Sequence, residues 1–168
     1  RMCAMLGYSA DELKRLGVSD IVIVGGEGSV SSAVSSAITA AGLPTPRRIA
    51  GANRYATSAM IALEVMRVTG RESDWPFLAR GDVFADALSV GPFAYRESRP
   101  ILLTRPDALP AEVAEAWGEI ADGWENGVII VGGPNSISED VVTTLSTTWR
   151  GGRSCEFVRV WGYDRYET

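Results

Sequence analysis

A chain of 168 residues, 46% hydrophobic and 22% charged, has the size of one domain or slightly more and the make-up of an ordinary folded protein. Its net charge of −5 argues against a nucleic-acid binder that works through a broadly basic face. The absence of histidine removes His-based catalytic triads, His-dependent zinc sites and the usual physiological-pH switch.

The first readable element is an apolar strand, Ile21–Val24, which runs through the loop Gly25-Gly26-Glu27-Gly28-Ser29 into a helix. A short strand at Arg48–Ala50 follows. The next helix is expected from about Tyr55 to Thr69, with Ala56, Met60, Leu63 and Met66 on one face and Gly70 as its stop. Phe77–Ala79 reads as a strand. Asp82 is expected to cap a helix through Phe84, Ala87 and Leu88, which Pro92 should kink or end. Ile101–Leu103 is a continuous apolar run, followed by a helix opening near Pro110, where proline suits the first turn. Val128–Val131 is a second such run. It leads into a helix with Ile137, Val141, Leu145 and Trp149 at four-residue steps, opened by a capping box at Ser136–Glu139. Strands that are apolar throughout need cover on both faces. Their alternation with helices predicts an α/β fold: three layers, a mostly parallel sheet, and helices on both faces.

The chain also repeats itself. Ile21–Ser31 returns 107 positions later as Val128–Ser138, and Arg48–Thr57 returns 111 positions later as Arg159–Thr168. Offsets this close, in the same order, indicate one unit of about 110 residues, the size of a small domain. On that reading residues 1–46 are the back part of a first unit, 47–157 one complete unit, and 158–168 the opening of a third. The two glycine-turn strands should then be central, parallel and alike. The start at Arg1, without a basic-then-apolar leader, reads as a piece of a longer chain.

Several groups could carry chemistry. The backbone amides of the glycine loops could hold a phosphate. However, Gly26-Glu27-Gly28 continues with Val30 and Ser31 where a dinucleotide fingerprint has its third glycine, and the second copy reads Gly132-Gly133-Pro134-Asn135-Ser136. Neither copy ends in a Walker Gly-Lys-Ser/Thr. A tight turn with a serine cap is the simpler reading. Arg54 and Asp86 lie deepest in apolar pattern and suggest a buried structural pair, because a buried charge persists only when paired. Aspartate without a basic or acidic helper is a poor catalyst. Arg80 and Arg105 end strands, while Arg96 and Arg99 precede one. Ligands of open α/β sheets bind at the carboxyl ends of strands, where arginine grips phosphate or carboxylate bidentately. Of the five tryptophans, at 75, 117, 124, 149 and 161, Trp117 and Trp149 fall on helix faces and read as core. The others could stack on sugar rings. No metal site and no cofactor is expected, since two cysteines are too few for a thiolate cage. No run of about 18 apolar residues offers a membrane span.

Four segments in register, Arg48–Thr57, Leu78–Ser89, Arg99–Thr104 and Val128–Gly133, resemble the type 2 cell wall-binding repeat. The resemblance covers all of 47–157 and, through the repeats, most of the remainder. It implies a secreted Gram-positive surface protein whose modules, usually in threes, grip an anionic secondary wall polymer non-covalently. Catalysis would then lie in a separate domain. It also implies that Pro100, Ile101, Leu102 and Leu103 serve wall attachment; beside that segment, the placement of Arg80, Arg99 and Arg105 at strand ends makes them the expected polymer-binding arginines. Two positions depart from the family pattern: Arg80, where a small or hydroxyl residue is usual, and Trp161, which replaces a small residue. The expected partners are the anionic polymer and neighbouring repeat units, with no nucleic acid and no membrane span. A surface setting would allow Cys3 and Cys155 to be joined, although nothing in the pattern brings them together. Fifteen of the sixteen basic residues are arginine, which fits a GC-rich actinobacterial host. Two other functions compete: a nucleotide- or phosphate-binding α/β domain or enzyme using the glycine loops, and a spacer or self-assembly module that touches no polymer.

Overall fold

The computed structural model describes residues 8–70, 75–121, 127–148 and 155–162. The chain parts into two compact units between Gly51 and Ala52.

The first unit holds α1 (Ala10–Arg15), β1 (Val22–Val24), α2 (Ser32–Ala40) and β2 (Arg47–Ile49). A capping box opens α1: the Glu12 amide donates to Ser9 Oγ at 3.2 Å and the Ser9 amide to Glu12 Oε2 at 2.6 Å. β1 and β2 pair in parallel, with Ile23 opposite Arg48. Ile23 is buried, but Val22 and Val24 are 37% and 51% exposed. The expectation of a central strand therefore fails for β1. Among the described residues it has one neighbour, β2, so one of its edges is unpaired, and the face that carries Val22 and Val24 is left partly open.

The second unit holds α3 (Arg54–Thr69), β3 (Phe77–Arg80), α4 (Ala85–Ser89), α5 (Gly91–Arg96), β4 (Ile101–Thr104), α6 (Ala111–Ala121), β5 (Gly127–Val131), α7 (Glu139–Thr148) and β6 (Glu156–Val160). Its sheet runs β4-β3-β5-β6, and every pairing is parallel. The fold is thus α/β with a parallel sheet, as expected. β5 is central and lies between β3 and β6. Alternate strand residues part into two clusters, as the two-residue period requires. Leu78, Leu102, Val128 and Ile130 join Ala62 and Met66 of α3, Trp117 of α6, and Val141 and Leu145 of α7. Phe77, Ala79 and Val131 join Ala87, Val90 and Ala94 from the α4–α5 segment. Trp117 is core, 1% exposed, with its indole N–H donating to the Leu145 carbonyl at 3.2 Å. Trp149 lies outside the described residues.

Several boundaries differ from the sequence reading for local reasons. Asn53 caps α3 by accepting from the Tyr55 and Ala56 amides at 2.8 and 2.9 Å, and Gly70 closes it in the left-handed region at φ 72°. Asp82 does not cap a helix, because its carboxylate is taken by Arg80. The helix expected after it is two short ones joined at Val90, with Pro92 in the first turn of the second. The Ser136–Glu139 capping box does not form. α7 starts at Glu139, Ser136 stays in the turn and donates to Asp86, and Glu139 pairs with Arg159. Cys155 is half-buried, and burial pushes its thiol up to about 11. Cys3, its expected partner, lies outside the described residues.

Candidate functional site

The carboxyl edge of the second sheet concentrates the charged and aromatic groups. Arg80 pairs in register with Thr104, so the ends of β3 and β4, with Arg80 and Arg105 at or just beyond them, are neighbours. The next residue after β3 is Gly81, and a Cβ there would fall 2.7 Å from the Tyr55 ring and 3.2 Å from Leu103 Cβ. Glycine is needed for this approach. The Arg105 guanidinium lies over the same ring, 5.6 Å from its centroid. Arg105 is exposed and makes no ion pair among the described residues. Arg80 differs: Nε and Nη2 hold both oxygens of Asp82 at 2.5 and 2.7 Å. This fork raises the Arg80 pKa and lowers that of Asp82, chiefly through the hydrogen bonds. At the rim, Asn53 donates to Glu112 Oε1 at 3.0 Å. Hydrogen bonds to the Glu112 carboxyl, from its own backbone first and then from Asn53, hold its pKa below the ordinary value, with Arg105 a smaller contributor.

The expected Arg54–Asp86 pair is not formed. Arg54 is exposed and donates to the Gly81 carbonyl at 2.6 Å. Asp86 accepts from Ser136 Oγ at 3.3 Å. The apolar neighbours of Arg54 belong to the other face of α3, so the residue itself points outward; an embedded charge in sequence is not an embedded charge in space.

The two glycine turns share one construction. Gly25 and Gly132 take positive φ, 104° and 118°, which glycine alone adopts freely. Their amides donate at 2.9 Å to the Ile49 and Val160 carbonyls, the last residues of β2 and β6. Arg48 donates to the Gly25 carbonyl at 2.5 Å, and Arg159 to the Gly132 carbonyl at 3.0 Å. Arg159 also reaches the Ile137 carbonyl at 3.1 Å and Glu139 at 2.8 Å. Each turn is therefore fastened by an arginine from the next strand, a role the sequence reading missed although both arginines stand in the repeated segment. A carboxylate also stands at the second turn. Asp86 Oδ2 lies 2.9 Å from where a Gly132 Cβ would sit, and it disfavours a phosphate there.

The remaining site residues fall elsewhere. Arg99 precedes β4 and so lies at the sheet's amino end, six positions from Arg105, or roughly 20 Å along an extended chain at about 3.3 Å per residue. It lines a groove of about 400 Å³ with Phe77, Phe93, Arg96 and Val160. Arg96 pairs with Glu97 at 2.7 Å and covers Phe93. Pro100 and Leu102 are buried, and Ile101 and Leu103 are half-buried against the α4–α5 side. Pro100 and Leu102 thus present no contact surface: the run is apolar because β4, although last in the sheet order, is packed on both faces, Leu102 in one cluster and Ile101 and Leu103 in the other. The single polymer-binding cluster read from the sequence resolves into two ends of one sheet. Among the described residues no helix is long and apolar enough to cross a membrane.

The comparisons with known proteins decide the family. Residues 48–142, more than half of the chain, match the family model described as cell wall binding domain 2. The chain belongs to that family. The cell wall binding domain 2 match runs from Arg48 in β2 to the start of α7; it includes β3 and β4, whose ends carry Arg80 and Arg105, and stops short of β6. Two curated relatives come from Bacillus subtilis (strain 168). The N-acetylmuramoyl-L-alanine amidase LytC is 32% identical over 92% of this chain and 28% of its own length; the amidase enhancer is 30% identical over 93% and 19%. The chain thus spans less than a third of either. Among solved structures, Cwp6 from Clostridium difficile aligns with TM-score 0.71 and 32% identity over 93% of this chain and 24% of that one. Cwp8 aligns with TM-score 0.69 and 26% identity over 87% and 22%. This family consists of cell wall binding modules of Gram-positive surface proteins.

Proposed function

We propose that this chain is a non-catalytic anchoring segment that holds an anionic secondary wall polymer at the carboxyl edge of the sheet, through Arg105 with Arg80 beside it. It is read as part of a tandem array of three-layer α/β units, secreted to the wall and carrying, elsewhere in the whole protein, an effector domain that needs no cofactor from this segment. The observation that carries the reading is the Arg80–Thr104 register, which sets the arginine-bearing ends of two parallel strands side by side. Arg105 is exposed over Tyr55, and no described residue claims its hydrogen-bond fork, the state in which guanidinium binds phosphate or carboxylate bidentately. Since the chain is net acidic, such local clusters and not bulk charge must supply the attraction. Pro100–Leu103 contribute by seating β4 and the edge it ends in. Arg99 belongs to the other end of the strand and is a secondary contact at most.

The test is retention on purified Gram-positive walls, native and stripped of phosphodiester polymers by hydrofluoric acid. Arg105→Ala should weaken retention roughly tenfold, the value of one charge-assisted contact, at an unchanged melting temperature. Arg80→Ala should cost less, because Asp82 already occupies its fork. Retention should fall steeply with salt, since exposed contacts are screened over about 8 Å at physiological ionic strength. Equal binding to stripped walls, or indifference to salt, would overturn the polymer assignment.

A further inference from the structure

We propose that Trp161, with the Asp86 carboxylate on the same glycine turn, forms a saccharide subsite that takes a pyranose ring of the wall polymer; this rests on the wall-binding reading above. Trp161 directly follows β6 and is 54% exposed. Its Cδ1 and Cγ lie 3.4 and 3.6 Å from where a Cβ on Gly133 would stand, so one edge of the indole rests on bare backbone while much of the remainder meets solvent. The first turn shows that the fold does not require this ring. There the matching residue is Ala50, and a Cβ on Gly26 would meet nothing within 4 Å, yet the turn closes with the same glycine conformation and the same amide-to-carbonyl bond. A large aromatic that the turn does not need, held at the carboxyl edge where sheet ligands bind, is a preformed platform.

Asp86 supplies the complementary chemistry. Its Oδ2 stands against Gly132, the neighbour of Gly133, and takes a single hydrogen bond from Ser136. Its Oδ1 makes none among the described residues. An ionised carboxylate only accepts, so its unused capacity suits hydroxyl donors and repels phosphate. A pyranose offers both an apolar C–H face for the indole and a rim of hydroxyls for the carboxylate. The edge would thereby divide a charged polysaccharide by chemistry, with sugar at the Trp161–Asp86 end and anionic group at Arg105.

The experiment compares the whole chain with its Trp161→Leu, Trp161→Phe and Asp86→Asn variants for retention on native walls across a salt series, with melting temperatures alongside. Trp161→Leu keeps an apolar group on Gly133 but no flat ring, and should bind roughly tenfold more weakly with an unchanged salt slope. Trp161→Phe should recover most of that loss, and Asp86→Asn should cost several-fold. If Trp161→Leu does not fold, the other two variants carry the test. Wild-type protein that fails to bind walls sinks the wall-binding reading itself. Wild type that binds while all three variants bind equally well, or a loss in Trp161→Leu that phenylalanine does not recover, sinks the saccharide subsite and leaves that reading standing.

Discussion

Arg80 shows how one neighbour changes what a residue can do. From its place at a strand end it reads as an anion-binding group, yet Asp82, two positions on, closes a bidentate fork on it. The spacing of the two residues was visible in the sequence. The fork was not, because it depends on the chain turning back at Gly81. Asp82 has its pKa lowered, so its contribution is present above the ordinary carboxylate value near 4 and is lost as pH falls through the lower folded value. The carboxylate is at the surface, where such pairs add little stability; the consequence is for binding. Asp82→Asn should release the Arg80 fork and raise wall retention about two- to threefold at neutral pH, within the range of exposed charge pairs, and make retention newly sensitive to Arg80→Ala. Wall retention of the single and double variants in one salt series checks this. An Asp82→Asn protein that binds like wild type would remove Arg80 from the site.

At the scale of elements, most of the second unit was legible from period and punctuation. The continuous apolar runs became β4 and β5, Gly70 stopped α3 where expected, and of the four-step pattern Val141 and Leu145 mark the buried face of α7 while Ile137 is buried in the turn before it. Serine near the start of α7 misled, since Ser136 spends its hydroxyl on Asp86 from another element, a contact that local propensity cannot contain. The arginine fastening of the turns was hidden for a similar reason. Arg159 lies 27 positions from Gly132, and only the parallel register of β5 and β6 brings them together. With its side chain 13% exposed, it answers two carbonyls and one carboxylate. Arg159→Met should therefore leave those acceptors unmet and cost about 2–3 kcal/mol, lowering Tm by roughly 5–10 °C. Arg159→Lys should recover less than half, because one ammonium lacks the planar fork that spans the three. Thermal unfolding of both variants decides this, and a full rescue by lysine would mean that charge alone matters.

Across the whole molecule, the decisive feature is which strand completes which sheet. β2 and β6 match in sequence, and each pairs with the strand before it: β2 with β1, and β6 with β5. The compact units accordingly part after Gly51, whereas the repeated sequence segment opens with Arg48. In such an arrangement a unit's last strand is written in the segment that follows it, so folding of one unit depends on the next stretch of chain. Deleting residues 156–168 tests that dependence. The cut removes β6, one of the two neighbours of β5, along the whole length of their pairing, from Gly127 opposite Glu156 to Val131 opposite Val160. It exposes a flat apolar edge of the kind that folded proteins avoid, and it takes away the Arg159 clamp on the glycine turn. The shortened chain should melt at least about 10 °C lower, and it should associate at higher concentration through the bared β5 edge. Wall retention should fall even though Arg80 and Arg105 are untouched, because β3 sits directly beside β5 and loses its support. Melting followed by circular dichroism, with sedimentation of the same samples, reads both effects. An unchanged transition and a monomeric product would mean that β5 closes the sheet unaided and that the following segment is dispensable to it.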